Sequence, residues 1–241
     1  MSWLITGSQP VPVDPIFNNV SLLLHGNGTN GSTTITDSSP SPKTVTAVGN
    51  AQISTAIADP FGNSTGVIAF DGAGTPLDRL SIPAGTTALQ FGAQDFTIEC
   101  WVYRLNTNTA AIAVGQSDLS TLAGSAWILY VSSSTNSSVF IGSSSLNVAS
   151  PNPSINTWAH IALTRSESTL RSFLNGTIVS ANANLGTGVV NNGASTHPNT
   201  IGGLNTNTTG LNGYIDDFRI TKGVARYTAA FTPPTAPFPD I

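Results

Sequence analysis

Phe96-Thr97-Ile98-Glu99-Cys100-Trp101-Val102-Tyr103 alternates without a break. In an extended chain successive side chains point to opposite faces, so Phe96, Ile98, Cys100 and Val102 share one face and Thr97, Glu99, Trp101 and Tyr103 the other. Apolar spacing of three and four does not persist for two helical turns, so the stretch reads as a strand with one core face. Cys100, the only cysteine, falls on that face and is expected to pack as a small hydrophobe.

The same pattern recurs on either side. Trp158 to Arg165 alternates, Ser166-Glu167-Ser168-Thr169 turns the chain into Leu170 to Leu174, and Asn175-Gly176 supplies the two positive-φ residues of a tight turn into Thr177-Ile178-Val179. Together these form a three-strand meander. Earlier strands are expected at Val20–Leu24, Val45–Val48, Val67–Phe70 and Arg79–Ile82. A hairpin is expected from Trp127–Val131 and Val139–Gly142, and last strands at Asn199–Gly203 and Tyr214–Ile220. Many short strands punctuated by Gly, Asn and Ser, with no fixed-period repeat and no heptads, make an all-β sandwich or barrel.

Composition narrows the function. Only 8% of the 241 residues are charged, with a net charge of −4, and the eight Lys and Arg are scattered, which argues against a nucleic-acid footprint. A single cysteine allows no intrachain disulfide and no cysteine zinc cluster. Met1-Ser2-Trp3-Leu4-Ile5-Thr6 has neither a basic start nor a long apolar run, and no later stretch reaches 18 apolar residues, so synthesis in a cytosol and no membrane span are expected. The Asn-X-Ser/Thr triplets then follow from composition and are not glycosylation sites.

Residues 1–18 read as an arm, because Pro10, Pro12 and Pro15 block both helix and ladder. Trp3, Leu4 and Ile5 at its tip have no local apolar partner, so the arm is either a disordered tail or a hook onto a neighbouring subunit or host protein. Residues 19–241 form the single folded domain. The proline-rich trailer from Phe231 to Pro239 must run extended over the surface, pinned by Phe231 and Phe238.

Three blocks carry a family resemblance: Ile68-Ala69-Phe70-Asp71-Gly72 with Leu80-Ser81-Ile82-Pro83; Phe96 to Tyr103 with Trp158 to Val179; and Gly213 to Tyr227 with its trailer. In order and spacing the chain resembles the laminin-G-like branch of the concanavalin A-like lectin/glucanase superfamily, over roughly residues 20–238. The resemblance implies an all-β, double-sheet antiparallel jelly-roll sandwich. The ending Ile215-Asp216-Asp217-Phe218-Arg219-Ile220-Thr221-Lys222-Gly223-Val224-Ala225-Arg226-Tyr227, with Phe231-Thr232-Pro233-Pro234, is similar to versions in bacteriophage virion proteins. That implies a virion location, contacts with other virion proteins through the arm, and display as a homo-oligomer or in multiple copies.

Catalysis finds little support. Glycosidases of the superfamily need two carboxylates on one strand, close enough to act on one bond. The chain's only glutamates are Glu99, with no carboxylate at 97, 101 or 103, and Glu167, which sits in a turn. No Gly-rich loop precedes a helix, and His25, His160 and His197 lack an Asp nearby in sequence. Calcium is the inorganic ligand the family allows, with Asp71 and either Asp216 or Asp217 as ligands; the alternative is that these aspartates accept from turn amides or pair with Arg79 or Arg219. A glycan would use the face of Glu99, Trp101 and Tyr103, with Trp127 and Tyr130 nearby; the alternative is that these aromatics fill the sandwich or an interface. Arg219, Lys222, Arg226 and Tyr227 are the expected exposed contacts. The resulting expectation is a non-enzymatic virion protein, a capsid decoration or attachment subunit, with a host-receptor carbohydrate-binding module as the alternative.

Overall fold

A computed structural model describes residues 12–63, 65–115, 127–132, 138–141, 144–183, 197–205 and 209–241. Two antiparallel sheets face each other. The first runs β13 (Thr177–Asn182), β12 (Thr169–Leu174), β11 (Trp158–Ser166), β6 (Phe96–Arg104), β15 (Asn212–Lys222), β4 (Val67–Asp71) and β3 (Gln52–Ser54), and β1 (Val20–Leu24) pairs with the far half of β15. The second runs β10 (Ser144–Ala149), β9 (Ser138–Ile141), β8 (Trp127–Val131), β7 (Ala110–Val114), β14 (Asn199–Ile201), β5 (Arg79–Ile82) and β2 (Thr46–Val48). No described helix is long and apolar enough to cross a membrane.

The alternation of β6 does what its sequence requires. Phe96, Ile98, Cys100 and Val102 enter the core between the sheets with Ile161, Leu163, Ile215 and Ile220, against Leu80, Ile112, Leu129 and Ile201 of the second sheet. Burying each of these side chains contributes on the order of 1.5–3 kcal/mol. The meander turns on Asn175 and Gly176, at φ 48° and 75°. β3, β7 and β10 have no counterpart in the sequence reading. β7 is Ala-Ala-Ile-Ala-Val, buried at all five positions because its second face packs with Tyr130 and Leu204, so no polar residue marks its period. The tip of the β8–β9 hairpin, with Gly142, lies outside the described residues.

β15 carries an irregularity that shapes everything on its outer side. Asp216 stands opposite Trp101 and Arg219 opposite Glu99, so three steps on β15 match two on β6. Asp217 is the extra residue, with φ 45°, and makes a β-bulge. β4 pairs with β15 up to Ile215; beyond the bulge β1 takes that edge, from Phe218 to Thr221.

Candidate functional site: the outer face of the first sheet

This face has a closed half and an open half. Over the closed half lies the trailer: Phe231 N donates to Gly176 O at 3.0 Å, the Tyr227 and Phe231 rings stack 3.5 Å apart, and both meet Phe173 edge-on. Further on, Phe238 is buried beside Val20 and Leu23, and the Arg219 guanidinium sits 3.7 Å above its ring. The two phenylalanines do pin the trailer. The described end of the expected arm joins it, since Asp14 is buried and its N–H donates to Ile241 O at 2.9 Å.

Beneath the trailer is a buried charge cluster. Arg219 donates to Glu99 Oε1 from Nε (2.9 Å) and Nη2 (2.8 Å), and from Nη1 to Asp14 Oδ2 (3.2 Å). Arg226 Nη2 donates to Asp14 Oδ2 at 2.6 Å, and the Tyr227 hydroxyl to Glu99 Oε2 at 2.7 Å. His160 Nε2 lies 3.2 Å from Glu99 Oε2 but out of hydrogen-bond alignment, so the fully buried ring has no hydrogen-bond partner among the described residues. Burial alone would raise the Glu99 carboxyl; the Arg219 charge, His160 and the Tyr227 hydroxyl outweigh it and hold its pKa down at about 2. Burial, and then the Glu99 charge, push the Tyr227 hydroxyl far up. Apart from His160, the groups here are spent on one another, which makes this a clamp on the trailer.

Beside it the bulge turns both adjacent aspartates toward the end of β1. Asp216 Oδ1 accepts from Gly26 N at 2.8 Å, Asp217 Oδ2 accepts from Phe238 N at 2.7 Å, and Asp217 Oδ1 lies 2.5 Å from His25 Nδ1. Burial, then the charge of Asp217, push Asp216 up to about 7. Burial works against protonating His25, but the hydrogen bond and charge of Asp217, with Asp216 and Asp240, prevail and its pKa is raised.

The open half holds an aromatic row. Trp158 of β11 pairs with Tyr103 of β6, Tyr103 with Tyr214 of β15, Tyr214 with Ala69 of β4, and Ala69 with Gln52 of β3. The three rings meet edge to face, with centroids 5.5 Å (Trp158–Tyr103) and 5.8 Å (Tyr103–Tyr214) apart. Trp158 Nε1 donates to Ala58 O at 2.9 Å, which fixes the indole. Where the row reaches Ala69 the side chain is only a methyl group, and a groove opens. It has a volume of about 280 Å³, with Tyr214 and Gln52 on its flanks and Asn50, Asp71, Leu105 and Asn212 at one end. Asp71 accepts from Asn50 Nδ2 at 2.9 Å and from Ala73 N at 2.8 Å. Burial would raise its carboxyl, but these donors and Asp78 hold it below the usual range, while burial raises Asp78.

The expected site residues divide between these places. Tyr103 lies in the row. Glu99 is on the same side of β6 but sealed beneath the trailer, so it is not a sugar contact. Trp101, between them, is half-buried against Phe61 (5.9 Å) and His160 (5.4 Å). Trp127 belongs to the core, where it packs on Phe91, and Tyr130 to the opposite sheet's outer cluster; neither neighbours the row. Arg219, Arg226 and Tyr227 are corrected from exposed contacts to parts of the clamp, because the trailer folds back over them; Lys222 Nζ donates to Thr87 O at 3.0 Å. Trp3, Leu4 and Ile5 lie outside the described residues. The calcium set does not come together: Asp71 pairs with Asn212, four residues along β15 from Asp216, which is about 13 Å at strand rise. One ion needs its oxygens within about 2.6 Å, so it cannot span Asp71 and the bulge pair. The sequence reading missed Trp158, Tyr214 and Ala69 as neighbours of Tyr103; Trp158 and Tyr214 each open an alternating stretch on the face of their strand that turns away from the core, and that was their only signal.

Two antiparallel sheets in this arrangement define a jelly-roll sandwich of the concanavalin A-like kind. Residues 78–226 match the Laminin_G_3 model of the concanavalin A-like lectin/glucanases superfamily, more than half of the chain, and the protein belongs to that family. No curated protein matches it in sequence. Among solved structures it is similar to domain 4 of AbnA, a GH43 extracellular arabinanase from Geobacillus stearothermophilus, solved with arabinotriose: TM-score 0.55 and 16% identity, covering 86% of this chain and 93% of that one. It is also similar to the botulinum neurotoxin serotype C1 binding domain (TM-score 0.58, 15% identity, 87% of this chain and 50% of that one). The binding domain of Paraclostridial Mosquitocidal Protein 1 gives TM-score 0.53 and 18% identity, covering 90% and 50%. The chain therefore spans about half the length of the toxin domains it matches.

Proposed function

We propose that the protein is a non-catalytic, lectin-like carbohydrate-binding domain that works as an attachment subunit of a bacteriophage virion. One observation carries the binding reading: a row of three half-buried aromatic rings on the outer sheet face, ending in a groove rimmed by amides and one carboxylate. Aromatic faces pack on the C–H faces of sugars while flanking polar groups take the hydroxyls. The groove's volume is near the small end of ligand sites, about 300–1,000 Å³, which suits a short glycan segment. Arabinotriose bound to domain 4 of AbnA, and a botulinum neurotoxin DC binding domain in complex with SialylT, support the reading by analogy of fold. The non-catalytic part is supported by Glu99, whose carboxylate is committed to Arg219 and Tyr227. The virion setting rests on the resemblance of the ending from Ile215 to Pro234, and the arm with Trp3, Leu4 and Ile5 is its anchor.

A glycan array with the full chain tests the binding. Glycan binding that is lost in Ala69→Leu, which fills the groove floor, and in Tyr214→Ala supports it. A folded protein silent across host-derived polysaccharides removes it. Immunogold electron microscopy of phage particles tests the setting, which fails if no particle carries the protein.

A further inference from the structure

The charges around the groove decide which glycans it can take. All eight basic residues of the chain lie within the described residues, and none lines the groove. Arg219 and Lys222 share β15 with Tyr214 but are committed elsewhere, to Glu99 with Asp14 and to the Thr87 carbonyl. Arg104 follows Tyr103 directly, yet it is buried and donates to Asn152 Oδ1, Pro153 O and Asn108 O, away from the row. Among the described residues, the single charged group on the rim is the exposed Asp71 carboxylate, and its neighbours Asn50, Gln52 and Asn212 are neutral amides.

An anionic sugar in this groove would meet a negative charge with no cation to offset it, whereas a neutral sugar offers hydroxyl donors that a carboxylate accepts well. Like-charge juxtaposition is an ordinary way of excluding a wrong ligand. We propose that the groove selects a neutral glycan segment, whose hydroxyls donate to Asp71, and excludes sugars bearing carboxylates, such as sialic acids and uronic acids. This rests on the carbohydrate-binding reading above and narrows it.

The test is the affinity of the full chain for neutral oligosaccharides and for the same oligosaccharides capped with sialic acid or uronic acid, at low and at physiological salt. The neutral forms bind, and the capped forms bind about tenfold or more weakly, with the gap shrinking as salt screens the charge. Asp71→Asn weakens neutral binding and narrows the gap. Gln52→Lys, on the exposed edge strand and outside the Asp71 hydrogen bonds, raises affinity for the capped forms and keeps the test independent of how well Asp71→Asn folds. Equal binding of neutral and capped forms, abolished by Ala69→Leu, would overturn the selectivity while leaving the carbohydrate reading intact. Absence of binding to every form overturns that reading, and the selectivity with it.

Discussion

Glu99 and Arg219 stand opposite one another on adjacent strands, and the guanidinium gives both Nε–H and Nη2–H to Glu99 Oε1, with side chains no more than 5% exposed. Removing one member leaves the other as an uncompensated buried charge. Arg219→Ala is expected to cost about 3–5 kcal/mol, toward the lower end because Tyr227 and His160 still face Glu99. Urea unfolding measures this. If the stability change is below 1 kcal/mol (about the value of an exposed pair), the clamp is not what holds the trailer.

The same carboxylate sets the acid limit. Its folded pKa of about 2 lies below the ordinary value of 4.5, so its contribution is fully present above pH 4.5 and is lost as pH falls from there toward 2. Thermal melting of the wild type should fall steeply in that window. Glu99→Gln, less stable at neutral pH, should show a shallower fall; parallel curves would contradict the assignment.

Asp216 works in the opposite direction. Its carboxyl, pushed up to about 7 by burial and then by Asp217, holds a proton in the folded chain that the unfolded chain releases near 3.8. Its contribution is present below pH 3.8 and is lost as pH rises toward 7; His25, raised above 6.5, likewise loses its contribution at higher pH. Asp216→Asn can still accept from Gly26 N. It should flatten the pH dependence of melting between pH 4 and 8 and raise Tm at pH 8, by about 2–4 °C for each kcal/mol recovered.

Gly176 ties the meander to the trailer. A Cβ there would fall 1.8 Å from Phe231 O, at φ 75°, whereas at Gly85, φ 73°, a Cβ would meet nothing within 4 Å. Both Gly→Ala variants bear the left-handed strain, more than about 1 kcal/mol. Only Gly176→Ala should also lift Phe231 and Tyr227, seen as faster proteolysis after residue 223. Equal protease sensitivity of the two variants would show that Gly176 does not hold the trailer.

Strand positions were legible where apolar and polar residue types alternate, even where the polar residues are themselves buried, as at Thr97, Glu99, His160 and Thr164. Phe96 to Tyr103 and Trp158 to Val179 read correctly for that reason, and Asn175-Gly176 gave its turn because few other residue pairs accept two positive φ values. β7 was illegible because both of its faces are buried and its Ala-rich run has no alternation. Of the candidate site, Tyr103 was legible as an outward aromatic. Its partners were not, since Trp158, Tyr214 and Ala69 become neighbours only through strand register across positions up to 145 residues apart.

The amino-acid sequence by itself determined an all-β sandwich of the concanavalin A-like family and the division of each strand into inward and outward residues. The strands and their two faces follow from a period of two, which is local; the family follows from the resemblance of three sequence blocks. Which outward residues remain open was decided only by tertiary structure. The trailer returns over 128 residues of separation to bring Tyr227 onto Glu99, and the bulge at Asp217 closes on His25 across 192. Two outward positions on one strand, Glu99 and Tyr103, thereby receive opposite fates: one is sealed beneath a folded-back segment and the other stays in the open row. Nothing local distinguishes them, because burial of an outward side chain depends on what distant chain docks above it.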